Sequence, residues 1–148
     1  KTHGQLGKKG YGAGKKVSGI KRHIAVDTNE LTHAIEVTTA NITDREGVIQ
    51  MHERHTETLD KVINIFCDGG YTGTSFAQSI KETIGCSVET IKRSELHKFV
   101  VLPKRWIVER TFAWLENYHR LWKNCERTLE NSRQSFLLAG VVILLKRF

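Results

Sequence analysis

The order of apolar patterns along the chain predicts an α/β fold. Three observations carry that reading. Apolar residues alternate with period two over 20–27 and again over 31–39. A nearly continuous apolar run at 62–67 is closed by Asp68-Gly69-Gly70. Two long stretches, 104–122 and 131–147, carry helical periodicity. Strands thus give way to helices along one chain of 148 residues, the size of a single domain with its own core.

The elements follow in order. Residues 4–14 hold glycines at 4, 7, 10, 12 and 14, interleaved with Lys8 and Lys9 and followed by Lys15 and Lys16. This reads as a flexible basic loop rather than a folded element, and as an arm suited to lie on a DNA backbone. It is not a phosphate-binding loop, because Lys16 stands where the motif needs Ser or Thr. The alternating runs 20–27 and 31–39, joined by Thr28-Asn29-Glu30, predict an antiparallel hairpin. Asn41-Ile42-Thr43-Asp44, with Glu46 in the first turn, predicts a helix running to about residue 55. Residues 62–67 predict a buried strand, 72–83 a helix stopped by Gly85, and 87–91 a further strand. Pro103 stands where the helix 104–122 begins. There is no internal repeat and no Pro- or Ser-rich linker, so 1–148 reads as one domain: a basic Gly-rich loop at 1–19, a core at 20–122 and a C-terminal helix at 131–147.

Charge is unevenly placed. Residues 1–23 carry seven Lys or Arg and no acid, 24–91 carry four basic and eleven acidic side chains, and 92–133 carry ten basic and five acidic. Two basic blocks around an acidic middle are the footprint of a polyanion partner, nucleic acid first. Three cysteines at 67, 86 and 125, with no CxxC pair, argue against a disulfide framework and a structural zinc site, and suit a reducing cytosol. The longest apolar run, 136–145, is too short to span a bilayer and reads as a core helix. No secretory signal pattern is present at the start. The chain opens on Lys1 rather than Met, which predicts a processed protein or a fragment.

Two carboxylates stand out. Asp68 closes a buried strand, where α/β sheets place ligand-binding groups, although Asp-Gly is also a plain turn signal. Glu109 lies four residues after Arg105 and three before Phe112, close to one helical face, with Trp106, Val108, Phe112 and Leu115 as expected apolar surroundings. A carboxylate in such surroundings is either paired, here by Arg105, or functional. Together the two acids suit a hard divalent cation. His52 and His55 have metal-ligand spacing but no third ligand. Cys67 reads as a core residue, and Trp114 and Trp122 as core positions before base-stacking ones.

The segment Phe66-Cys67-Asp68-Gly69-Gly70-Tyr71, followed by Arg105-Trp106-Ile107-Val108-Glu109-Arg110-Thr111-Phe112-Ala113-Trp114-Leu115, resembles the catalytic portion of DDE transposases of bacterial insertion sequences of the insertion-sequence-five type. Tyr118-His119-Arg120-Leu121, Lys123-Asn124-Cys125-Glu126-Arg127 and the approach from Gly14-Lys15-Lys16 to Asp27 are similar to the family as well. The resemblance covers nearly the whole chain. It implies a ribonuclease-H-like core and two-metal cleavage and joining of DNA strands with Mg2+ or Mn2+. Asp68 matches the family's second catalytic Asp and Glu109 its Glu, so both are the implied catalytic and metal residues. Arg105 matches the Arg that holds transposon-end DNA. Lys15, Lys16, Lys21, Arg22, Arg110 and Arg120 complete the expected DNA-binding set. Asp44 matches an acid outside the triad.

The family's first catalytic Asp lies on a central strand upstream of the Gly-rich segment, before residue 1. The chain is therefore expected to lack that strand and one of three metal ligands, with Asp27 the nearest substitute and little cleavage on its own. Leu102 and Glu116 stand where the family has Tyr and Lys. The implied partners are double-stranded DNA, both transposon end and target, and a second copy in the full-length enzyme, with no membrane. The implied location is the bacterial cytoplasm, at the nucleoid when DNA is bound. The alternatives are a catalytically inactive DNA-binding remnant or regulator of transposition, and a ribonuclease-H-like nuclease that prefers no terminal repeat.

Overall fold

A computed structural model of the chain describes residues 10–12, 17–68, 74–91, 104–118, 121 and 123–147. Its elements are β1 (Gly10–Gly12), β2 (Val17–Val26), β3 (Thr32–Thr39), α1 (Asp44–Arg54), α2 (Thr56–Leu59), β4 (Asn64–Asp68), α3 (Thr74–Ile84), β5 (Ser87–Ile91), α4 (Arg105–Glu116) and α5 (Leu129–Leu145). The α/β class is as expected. The predicted mixed sheet is not seen among the described residues. Instead β1–β2–β3 form an antiparallel sheet, and β4 and β5 form a separate parallel pair.

The β2–β3 hairpin sits between two helical layers, and strand parity explains how. Ile24 faces Ile35 and Ala25 faces Ala34 across the ladder, so the two pairs point to opposite sides. On one side Ile35 packs with Leu115, Leu121, Phe136 and Ala139, with Ile24 and Phe112 alongside; this side is covered by α4 and α5. On the other side Ala34 packs with Met51 and Leu59, under α1 and α2. Residues 34–38 are consequently buried on both faces. Helix α1 then turns Val48 and Ile49 toward a third cluster, where Cys67, Phe76, Ile80 and Cys86 join β4, α3 and β5.

Small side chains set the closest approaches. Gly47 of α1 rests on the imidazole of His23, and a Cβ there would collide with the ring. The ring cannot move aside freely, because His23 Nε2 is bound to Thr38 Oγ1 at 3.0 Å and the residue is buried. Burial lowers the His23 pKa, which keeps it neutral against the helix. Helix α1 starts on a capping box. Thr43 Oγ1 accepts from the Glu46 N–H at 3.2 Å, and the Glu46 carboxylate accepts from the Thr43 N–H at 2.9 Å. Helix α3 ends at Gly85, whose φ of 75° is the left-handed turn that a Cβ disfavours.

Several expectations need correction. Residues 10–12, read as loop, form a strand: they add to the free edge of β2, pairing Gly10 with Gly19 and Gly12 with Val17. The absence of a side chain makes this possible, since a Cβ on Gly10 would run into Thr39, Ala40 and Asn41. The strand read at 62–67 forms as Asn64–Asp68 and is buried on one face only. Cys67 and Ile65 pack into the core, while Phe66, on the other face, is 42% exposed; Ile63, 85% exposed, precedes the strand. The helix expected over 104–122 ends at Glu116, and the last helix runs from Leu129, capped by Thr128, to Leu145.

An ion network closes the α1 side. Arg54 Nε lies 3.2 Å from Glu36, a buried acid whose other oxygen accepts from the Val37 N–H at 3.0 Å. Arg54 also approaches Glu130, which Arg133 and Gln134 bind at 2.6 and 2.8 Å. Those donors hold the Glu130 carboxyl down at about 2, from an ordinary 4.5.

Two predictions follow from this packing. Gly47→Ala should cost about 1–3 kcal/mol by overpacking, read as a lower urea midpoint with an unchanged m-value. Because the folded-state pKa of Glu130 is depressed, its contribution to stability is complete above pH 4.5 and is lost as pH falls toward about 2. Glu130→Gln should therefore lose less melting temperature than wild type across that interval in thermal melts.

Candidate active site and nucleic-acid interface

Asp68 is the last residue of β4, in register with Ile91 of β5. It therefore occupies the C-terminal end of a parallel strand, as expected. Its side chain lies outside the described residues, as does that of Arg105. Helix α4 begins beside this strand. Lys104, at the helix N-cap in the left-handed conformation (φ 67°), holds its Nζ over the Phe66 ring at 4.2 Å from the centroid. The start of the Glu109 helix is thus set against the residue two positions before Asp68.

Helix α4 turns Ile107, Thr111 and Leu115 inward, the i, i+4, i+8 stripe of a half-buried helix. Glu109 lies on the opposite, exposed side with Trp106, Val108 and Arg110. The expected apolar enclosure of Glu109 is therefore not what forms. Trp106 is 45% exposed and Val108 is exposed as well, while only Phe112 and Leu115 join the core.

The rotation of α4 is tied to the hairpin by a buried acid. Glu30 sits in the β2–β3 turn with φ 65°, and only 7% of it is exposed. Its carboxylate pairs with Arg110 through one oxygen and with Arg147 through the other, the latter at 2.8 Å. Arg147 Nη1 also donates to the carbonyls of Asn29 and Glu30 at 3.1 and 3.2 Å. The two guanidiniums stack on indoles: Arg110 lies 4.4 Å from the Trp106 centroid and 5.3 Å from that of Trp114, and Arg147 lies 5.2 Å from Trp114. Sequence reading did not single out Glu30 or Arg147. An acid in a hairpin turn and a cation at a chain end are both ordinary surface patterns.

Comparison with known proteins decides the family. The description Transposase DDE domain matches residues 1–144. The chain belongs to that family. It is also 28% identical over 133 residues to a Burkholderia cepacia protein assigned as the transposase of insertion sequence element IS402. That match covers 85% of this chain and 62% of the relative, so the chain spans under two thirds of the relative's length. No solved structure matches significantly.

Within this DDE transposase domain the candidate residues divide by what holds them. Lys21 is bound to Asp44 at 2.9 Å and donates to the Ile42 carbonyl at 2.7 Å, pinning the corner between β3 and α1. Arg22 lies over Phe136 at 5.1 Å, and burial lowers its pKa against the opposing pull of Glu116. Arg110 is held by Glu30. These three of the expected DNA contacts are therefore engaged within the fold. Lys15, Lys16 and Arg120 lie outside the described residues, as does Trp122.

Asp27 is also committed. Its Oδ1 accepts from the N–H groups of Asn29 and Leu31 at 2.8 and 2.9 Å, and its Oδ2 meets His33 Nε2 at 3.3 Å. Burial acts to raise its pKa, but these bonds together hold it below the usual carboxylate range. The register shift between Ala25 and Val26 leaves His33 off the ladder and within reach of Asp27. His55 Nε2 is spent on the Ile35 carbonyl at 3.2 Å, and His52 is buried with its pKa lowered by desolvation. Among the described residues no group of three or more His, Cys, Asp or Glu is placed to hold a metal ion. No helix among them is long and apolar enough to cross a membrane.

Asp27 thus acts as a turn-forming acid. Asp27→Ala should destabilise the fold by about 1–2 kcal/mol through the loss of two turn hydrogen bonds. Calorimetric titration with Mn2+ should give the same heat for variant and wild type.

Proposed function

We propose that this chain acts in DNA transposition, as the part of a strand-cleaving and strand-joining transposase that carries Asp68 and Glu109. The family match over residues 1–144 carries this reading. The contact of Lys104 with Phe66 supports it, because it sets the start of the Glu109 helix beside the strand that ends in Asp68. We read the antiparallel β1–β3 sheet and the parallel β4–β5 pair as two halves of a ribonuclease-H-like core.

The donor chemistry suits a hard divalent cation. Carboxylate oxygens are the ligands that Mg2+ and Mn2+ prefer, and Mg2+ needs only one or two of them beside phosphate oxygens. Asp68 and Glu109 would hold the ion. Such an ion supplies neutralisation of phosphate charge and activation of the attacking oxygen. The chain's own residues do the rest. Arg105, Arg120, Lys15 and Lys16 bind the DNA backbone by charge. Glu109, on the exposed side of α4, is open to a duplex laid against that helix. The partners in this reading are the transposon end, the target duplex and a second copy of the protein, in the bacterial cytoplasm at the nucleoid.

The test is nicking of supercoiled plasmid and of linear DNA carrying the element's ends, with Mg2+ or Mn2+. Cleavage by the chain is expected to be weak, and Asp68→Ala and Glu109→Ala should each abolish what metal-dependent nicking there is. Salt-dependent DNA binding should survive both changes. Binding without cleavage by the wild-type protein under either metal would instead identify a DNA-binding regulator.

A further inference from the structure

We propose that Glu30 is a positioning residue, which sets the rotation and axial placement of α4 and through it the presentation of Glu109. This rests on the reading of Glu109 as a catalytic ligand. Four observations converge on it. Glu30 is buried, yet its carboxylate meets two guanidiniums from distant segments. One of them, Arg110, is the residue next to Glu109. The other, Arg147, follows α5 and binds the turn's backbone as well. Both are flanked by indole faces, which limit where a guanidinium can go.

The geometry explains why this matters. Adjacent helical residues differ by about 100° in direction, so fixing Arg110 leaves Glu109 a narrow arc. The inward stripe of Ile107, Thr111 and Leu115 resists large rotation, but apolar contacts are tolerant of small slips. A two-oxygen carboxylate gripping two forks is not tolerant, because each charge-assisted bond has a preferred direction. Glu30 adopts a left-handed backbone that a side chain disfavours, so its ion pairs with Arg110 and Arg147 hold the turn in place. A displacement of about 1 Å at a reacting group can cost 100-fold in rate, so a helix that is folded but slightly turned would be inactive.

The experiment compares wild type with Glu30→Gln, which keeps size and loses charge, and with Glu30→Asp, which keeps charge on a shorter arm. Hydrogen exchange by mass spectrometry reads the helix, and DNA cleavage reads the site. For Glu30→Gln, exchange in peptides spanning 106–116 should rise about tenfold while peptides of β3 and α1 keep their protection. The cleavage rate constant should fall roughly 10- to 100-fold with the KM for DNA unchanged. Glu30→Asp should recover part of both effects. Unchanged exchange over 106–116 overturns the proposal whatever the activity. So does a rise spread over the whole chain, which marks Glu30 as a stability residue only. Local loosening with an unchanged cleavage rate overturns the link to Glu109. A wild-type protein that cuts no DNA removes the catalytic reading, and with it that link, while the exchange arm still decides whether Glu30 holds α4.

Discussion

The β2–β3 hairpin has no solvent face over its central residues, and this constraint shapes the rest of the chain. A strand pair offers two sides with strict alternation, so one run of sequence must satisfy two different helical layers. Ile24 and Ile35 pack with residues of α4 and α5, and Val37 shares their side of the ladder. Side chains at 23, 25, 34 and 36 meet α1 and α2, and Thr38 on the same side bonds His23. A slip of one residue would exchange the sets, bringing Glu36 and His23 into the aromatic cluster around Phe136. The polar members of the α1 side have no such tolerance, since Glu36 needs Arg54 and His23 needs Thr38. Register is therefore specified twice, by apolar fit on one side and by polar pairing on the other.

The same hairpin supplies both anchors of α4. Its body packs on α4 through Ile24 and Ile35, and its turn grips α4 through Glu30. The first contact contributes most of the burial, and the second contributes direction. This division is common where a site must be held within fractions of an ångström: nonpolar contact brings elements together, and a few charge-assisted bonds choose among nearby arrangements. The cost is the desolvation of Glu30, offset by two guanidiniums and two turn carbonyls that also bind Arg147.

Charge reading was informative in sum and less so in detail. The basic blocks predicted a polyanion partner, in keeping with a DDE transposase domain. Lys21, Arg22 and Arg110 were nevertheless drawn into the fold, at Asp44, Phe136 and Glu30. A linear sequence shows how many cations a segment carries. It does not show which of them meet an acid or a ring from another segment, because those partners lie 23, 114 and 80 positions away.

Local chemistry was written in the residues themselves. The hairpin follows from alternation, the start of α1 from Thr43 and Glu46, the end of α3 from Gly85, and the family from the segments around Asp68 and Glu109. Each depends on neighbours a few positions apart, whose geometry the backbone sets directly. Tertiary structure decided what sequence distance conceals. It made a strand of Gly10–Gly12 by giving it the edge of β2, and left Phe66 exposed on a strand that reads as buried. It also turned Glu109 to the outside and made Glu30 the clasp of α4. For Gly10–Gly12 and for Glu30 the deciding partner comes from a different element, and only folding brings the two within bonding distance.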